Sequence, residues 1–204
     1  MFNMFNKKYK LTHLTKKVYG GHTLHQIKAL KSFGDVKKGD LGGWVEDYNN
    51  LSQLDTAWIY DNAMVWGNAK VCDKAKIRET AKVLNNAWVF DNAQVYGDAT
   101  VSGHACIYGN AKVYGDSSIQ GQSNIRENDE IKDNGSYLIF NNVLSSFGQQ
   151  FVYVLSNHRW HVGCFDGTSD ELIKRGYSDS EKSGKIYEMY VNFAEQVAKE
   201  VTKL

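Results

Sequence analysis

From Ala57 onward the chain repeats every six residues, a period long enough for a short strand and a turn. Helical solenoids need units of about 20 to 45 residues, so a helix hairpin is excluded. Alanine stands at 57, 63, 69, 75, 81, 87, 93, 99, 105 and 111, with Ser117 and Ser123 in register. A β-branched aliphatic follows two positions later, at Ile59, Val65, Val71, Ile77, Val83, Val89, Val95, Val101, Ile107, Val113, Ile119 and Ile125, and again at Ile131. Alternation places the small and the branched side chain on one face of a strand. After one further residue come two positions, often Gly-Asn, Gly-Asp or Asp-Asn, that tolerate φ > 0 and turn the chain. Three such strands close a triangular coil, so residues one coil apart stack at about 4.8 Å. The pattern reaches back through Val45 and Leu51, which predicts about five coils between 45 and 134, a parallel β-helix.

The division expected is a hairpin cap and lead-in over 1–44, the β-helix over 45–136 and a compact α+β domain over 137–204. A stack of coils has unpaired edges that a cap must cover. Strands at 16–19 and 22–30 around Gly20-Gly21 predict a hairpin with a two-residue turn. Past Asn134 the hexad stops, and 137–141, 151–155 and 159–162 read as strands. Thr168 with Glu171, and Ser178 with Glu181, have capping-box spacing and predict two helices. On the second, Ile186, Met189, Tyr190, Phe193, Val197 and Val201 form a stripe expected to pack on the strands.

The 24 Lys and Arg against 23 Asp and Glu leave a formal charge of +1, so bulk electrostatics argue against duplex DNA or an anionic membrane as partner. No stretch has the roughly 18 apolar residues of a membrane span, and the start lacks a secretory apolar region, which leaves a cytoplasmic location as the expectation. Cys72, Cys106 and Cys164 are an odd number without paired spacing and read as reduced thiols.

The alternation resembles the hexapeptide-repeat, left-handed β-helix superfamily, which includes acyltransferases and γ-type carbonic anhydrases and implies a left-handed winding. Residues 27–46, ending Gly39-Asp40-Leu41-Gly42-Gly43-Trp44-Val45-Glu46, followed by Asn50-Leu51-Ser52-Gln53, resemble the lead-in of bacteriophage and prophage proteins of uncharacterised role. There the segment runs into repeats like Tyr108-Gly109-Asn110-Ala111-Lys112-Val113. Gly163-Cys164-Phe165-Asp166-Gly167-Thr168 is similar to their tail domain. The resemblance implies a protein acting in the cytoplasm of a bacterial host.

Catalytic chemistry finds little support. A hexapeptide acyltransferase needs a coil histidine and a loop that interrupts the repeat, but only His104 lies in the coils and no insertion breaks the register. A general base without a positioned partner is not a site. His104 reads as a polar turn residue. The carbonic anhydrases need three zinc-binding histidines. His158, His161 and Cys164 have metal-like spacing, but positions three apart on a strand face opposite ways, so a structural hairpin is expected there. No cofactor is expected.

Sorting outward positions by eighteen gives three faces. The first carries Trp58, Tyr60, Lys76, Arg78, Gln94, Tyr96, Lys112 and Tyr114, with Glu130 and Lys132. Of these, Tyr60, Arg78, Tyr96, Lys112 and Tyr114 suit a nucleotide-like ring with phosphates, or the acidic surface of a host protein. The second carries Met64, Trp66, Lys82, Leu84, Thr100, Ser102, Ser118 and Gln120. The third carries Lys70, Cys72, Trp88, Phe90, Cys106, Tyr108, Asn124 and Arg126. Here Trp88, Phe90 and Tyr108 make an apolar patch expected to drive self-association, as a trimer by resemblance to the superfamily. Stacking of such aromatics along the ladder is the structural alternative. The function expected is a non-catalytic, phage-type scaffold that self-associates and binds a ligand or masks a host protein, as an inhibitor of bacterial anti-phage defence. A virion component and an acyltransferase-like enzyme are the alternatives.

Overall fold

The computed structural model describes residues 7–141, 143 and 150–201, in two compact units, Met1–Asn128 and Asp129–Leu204. In the first, three long strands, β1 (Tyr9–Lys17), β2 (Thr23–Ala29) and β3 (Leu41–Val45), precede a series of two-residue strands, one in each hexad. These are β4 (Trp58–Ile59), β5 (Met64–Val65), β6 (Lys70–Val71), β7 (Lys76–Ile77), β8 (Lys82–Val83), β9 (Trp88–Val89), β10 (Gln94–Val95), β11 (Thr100–Val101), β12 (Cys106–Ile107), β13 (Lys112–Val113), β14 (Ser118–Ile119) and β15 (Asn124–Ile125).

Each short strand pairs in parallel with the strand one coil away, as in Met64↔Lys82 and Trp88↔Cys106. Three ladders result: β3-β5-β8-β11-β14, β4-β7-β10-β13 and β6-β9-β12-β15. The chain is thus mainly β, a parallel β-solenoid of about five turns with a small sheet-and-helix region after it. Every alanine of the repeat is fully buried, and every β-branched partner is at most 1 % exposed. The hexad is therefore a core pattern, small residues at the corners and branched ones on the inner walls.

One residue per hexad makes the turn. All twelve residues at the fifth hexad position, from Asp61 to Glu127, have positive φ between 52° and 73°. The residue after it does not, although the composition had suggested both. Acidic side chains at this position accept the backbone N–H one coil on: Asp61 from Glu79 (3.1 Å), Asp73 from Asp91 (3.2 Å), Glu79 from Gly97 (2.9 Å) and Asp91 from Gly109 (3.1 Å). Asparagines beside them stack, Asn68 onto Asn86 (3.1 Å) and Asn92 onto Asn110 (3.2 Å). Such ladders satisfy amide groups along the stack.

The N-terminal hairpin exists, with different bounds from those expected. Its first strand starts at Tyr9, and Tyr19–Gly21 is a short 3-10 turn closed by Val18 N–H to His22 O (3.0 Å). The turn is longer than two residues because Gly20 and Gly21 both take φ above 80° inside a wider loop. Fully buried Lys8 donates from Nζ to Leu54 O (3.0 Å) and Ala57 O (2.9 Å), and Tyr9 donates from its hydroxyl to Leu51 O (2.7 Å). Carbonyls that no further coil meets are satisfied in this way. At Gly43 a Cβ would lie 2.5 Å from Ala63 O, which explains the paired glycines of β3.

The second unit opens with β16 (Glu130–Ile131) and continues as an antiparallel meander of β17 (Tyr137–Phe140), β18 (Phe151–Val154), β19 (Arg159–Val162) and β20 (Phe165–Gly167). β20 was not anticipated. Helix α1 (Ser169–Asp179) begins at the expected Thr168–Glu171 capping box. Ser178 lies inside α1, bonded to Arg175 O, and does not cap. Helix α2 (Glu181–Val201) instead has Ser180 accepting from Ser183 N–H (3.0 Å).

The packed stripe of α2 meets expectation in part: Ile186 and Tyr190 pack against the core, but the stripe is rotated from the one expected. Ser183, Gly184, Tyr187, Val191, Ala194 and Ala198 are buried, whereas Met189 is 72 % and Phe193 55 % exposed. Small residues decide the rotation. A Cβ at Gly184 would come within 2.3 Å of the Tyr177 ring, and one at Gly176 within 2.7 Å of Tyr187, so α1 and α2 meet where side chains are absent. Phe140, Ile186, Met189, Tyr190 and Phe193 then line a groove of about 430 Å³.

Candidate functional site

The outward faces follow the three ladders. Trp58 is an exception on the first: it is 1 % exposed, covered by Phe33 (ring centroids 5.3 Å apart) and Tyr9 (6.1 Å). Trp66 and Arg126 were also expected outside and are 8 % and 7 % exposed; Arg126 donates to Tyr108 Oη (3.2 Å). The period assigns each position a side, but not what the rest of the chain lays over it.

On the first face Tyr60, Arg78, Tyr96 and Tyr114 occupy equivalent positions in successive coils, and Lys112 flanks Tyr114. Tyr96 and Tyr114 stack at 4.9 Å and 5°. The basic end is engaged within the protein. Asp35 of the lead-in accepts from Lys76 (2.8 Å) and the Tyr60 hydroxyl (2.6 Å), lies 3.6 Å from Arg78, and Arg78 sits 4.4 Å above the Tyr60 ring. The Lys76 and Tyr60 hydrogen bonds hold the Asp35 carboxyl down at about 2. Burial, then Asp35, pushes the Tyr60 phenol upward. An anionic ligand here would compete with a carboxylate already in place.

The third face is different. Trp88 is 45 % exposed with Lys70 Nζ 5.0 Å from its ring, and Phe90 stacks on Tyr108 at 5.0 Å and 3°. Cys72 and Cys106 complete the rows. Burial first, then Asp73, raises the Cys72 thiol to about 11, and burial raises Cys106. Neither sulfur is a ready nucleophile at neutral pH. The face is a flat, largely apolar wall.

The histidines are dispersed. His104 is an exposed turn residue after Gly103. His161, buried, has Nε2 2.7 Å from the buried Asp129 Oδ2 and Nδ1 3.4 Å from Asp166 Oδ2; Asn157 donates to Asp129 Oδ1 (2.6 Å), and Arg159 pairs with Asp166. His158 bonds the Tyr153 hydroxyl (3.0 Å), and Cys164 is exposed. Among the described residues no group of three His, Cys, Asp or Glu is placed to hold a metal ion. No helix among them is long and apolar enough to cross a membrane. The Asp129–His161 pair escaped sequence reasoning. Its signal was an aspartate at the hexad position that elsewhere holds alanine.

A family model described as YdcK beta solenoid repeat matches residues 93–106, a stretch within a single coil that includes β10 and β11. No curated protein matches the chain.

Proposed function

We propose that the protein is a non-catalytic scaffold that assembles with copies of itself through the third face of the solenoid. The observation that carries this reading is the exposed Trp88 beside the stacked Phe90–Tyr108 pair, a continuous apolar wall that a soluble monomer rarely leaves open. The coils wind left-handed and the assembly is a trimer, as the resemblance to the hexapeptide-repeat superfamily implies. The lead-in over 27–46 and the tail motif at 163–168 support a phage-type protein working in a bacterial cytoplasm. A rigid binder of this kind would hold a ligand or mask a host protein, as an inhibitor of anti-phage defence. The first face, with Tyr96 and Tyr114, is its ligand side once Asp35 is displaced.

Light scattering tests the assembly. At tens of micromolar the wild type should run at a multiple of its 23.1 kDa chain mass. Trp88→Lys should run as a monomer with an unchanged circular dichroism spectrum. A wild-type monomer under those conditions would sink the reading.

A further inference from the structure

The first 44 residues carry nine lysines and no arginine against only Asp35 and Asp40, so with +1 overall the remainder of the chain is acidic. These lysines are not scattered. Lys10 lies directly opposite Lys28 across the β1–β2 ladder, a like-charge pair that costs stability unless an anion sits over it. Two residues along β2, Gln26 pairs with Trp44, and Lys16 Nζ lies 5.0 Å from the Trp44 ring, which puts Lys10, Lys16 and Lys28 on one face. Trp44 in turn pairs with Met64 and Met64 with Lys82, so the hairpin extends the second face of the solenoid.

Among the described residues none of these four lysines reaches an acidic partner, in contrast to Lys76 on the first face. Lys10 to Lys16 spans about 20 Å of strand. At the hairpin tip, next to Lys16 and Lys17, Tyr19 is 98 % exposed.

We infer that this hairpin-extended face binds single-stranded nucleic acid, the lysines on successive phosphates and Tyr19 under a base. Lysines bind phosphates as point charges, and the fully exposed Tyr19 ring beside them offers a base a stacking platform that a protein carboxylate has no use for. Tyr19 can stack only on a base that is not already paired and stacked in a duplex, and the acidic remainder of the chain disfavours a long duplex. Contact is therefore with the backbone and tolerant of sequence.

The test is fluorescence anisotropy of a labelled 12-residue oligothymidylate with the full chain in 50 to 200 mM salt. Four phosphate contacts should give a slope of log K against log salt of about −3. Lys10→Glu with Lys28→Glu should weaken binding at least tenfold, and Lys10→Gln with Lys28→Gln several-fold. Tyr19→Ala should weaken it about fivefold or more. Both lysine pairs should leave the oligomeric state unchanged, which separates this surface from the third face. No binding at 50 mM salt, equal binding by the charge-reversed pair, or equal displacement by poly-glutamate would overturn the inference; the last would indicate an acidic protein partner.

Discussion

Gly103 shows how tightly single positions are held by the repeat. It takes a φ of +71°, and a Cβ there would lie 2.8 Å from Gly121 N and O in the next coil. Aspartate, asparagine and glutamate hold the same conformation at other corners, where Asp91 and Glu79 also tie adjacent coils together. Gly103→Val adds a β-branched side chain in the left-handed region against backbone atoms that cannot swing aside. It should cost about 3 kcal/mol or more in urea unfolding. Gly103→Asn should cost clearly less. Equal losses would mean that the crowding against Gly121 does not matter.

Among the elements, the coil strands were legible because one six-residue period encodes inner face, corner and turn together. The cap and α2 were less so. Nothing in a hydrophobic pattern marks Lys8 as a fully buried plug, since its place depends on the carbonyls of Leu54 and Ala57 far along the chain. Burial lowers the Lys8 ammonium from 10.5 to about 8. Between those values the unfolded chain binds the additional proton, so stability rises with pH there. From pH 7.5 to 9.5 Lys8 should add an upward slope to the thermal midpoint, against the Cys72 and Cys106 thiols that ionise in the unfolded chain, and the profile of Lys8→Met should lose that upward contribution. An unchanged profile in the variant would remove Lys8 as its source. In α2 the expected stripe caught the edge of the packed side at Ile186 and Tyr190 but not its centre, because Gly184, Ala194 and Ala198 pack by being small. Of the candidate binding residues, the period aligned Tyr60, Arg78, Tyr96 and Tyr114, but it did not reveal Asp35, which arrives from outside the repeat.

For the molecule as a whole, the inner walls of the coils are spent on packing and leave function to the outer ones. The third wall presents Trp88, Phe90 and Tyr108, together with Cys72 and Cys106, two sulfurs that report on whether the wall is covered. Cys164, exposed in the second unit, is an internal control. The most direct measurement is the alkylation rate of each cysteine, followed by mass spectrometry, as protein concentration is raised from about 1 to 50 μM across the association range. Cys106 and Cys72 should become protected as copies assemble while Cys164 keeps its rate, and Trp88→Lys should abolish the protection. Concentration-independent labelling at Cys106 in the wild type would contradict the account.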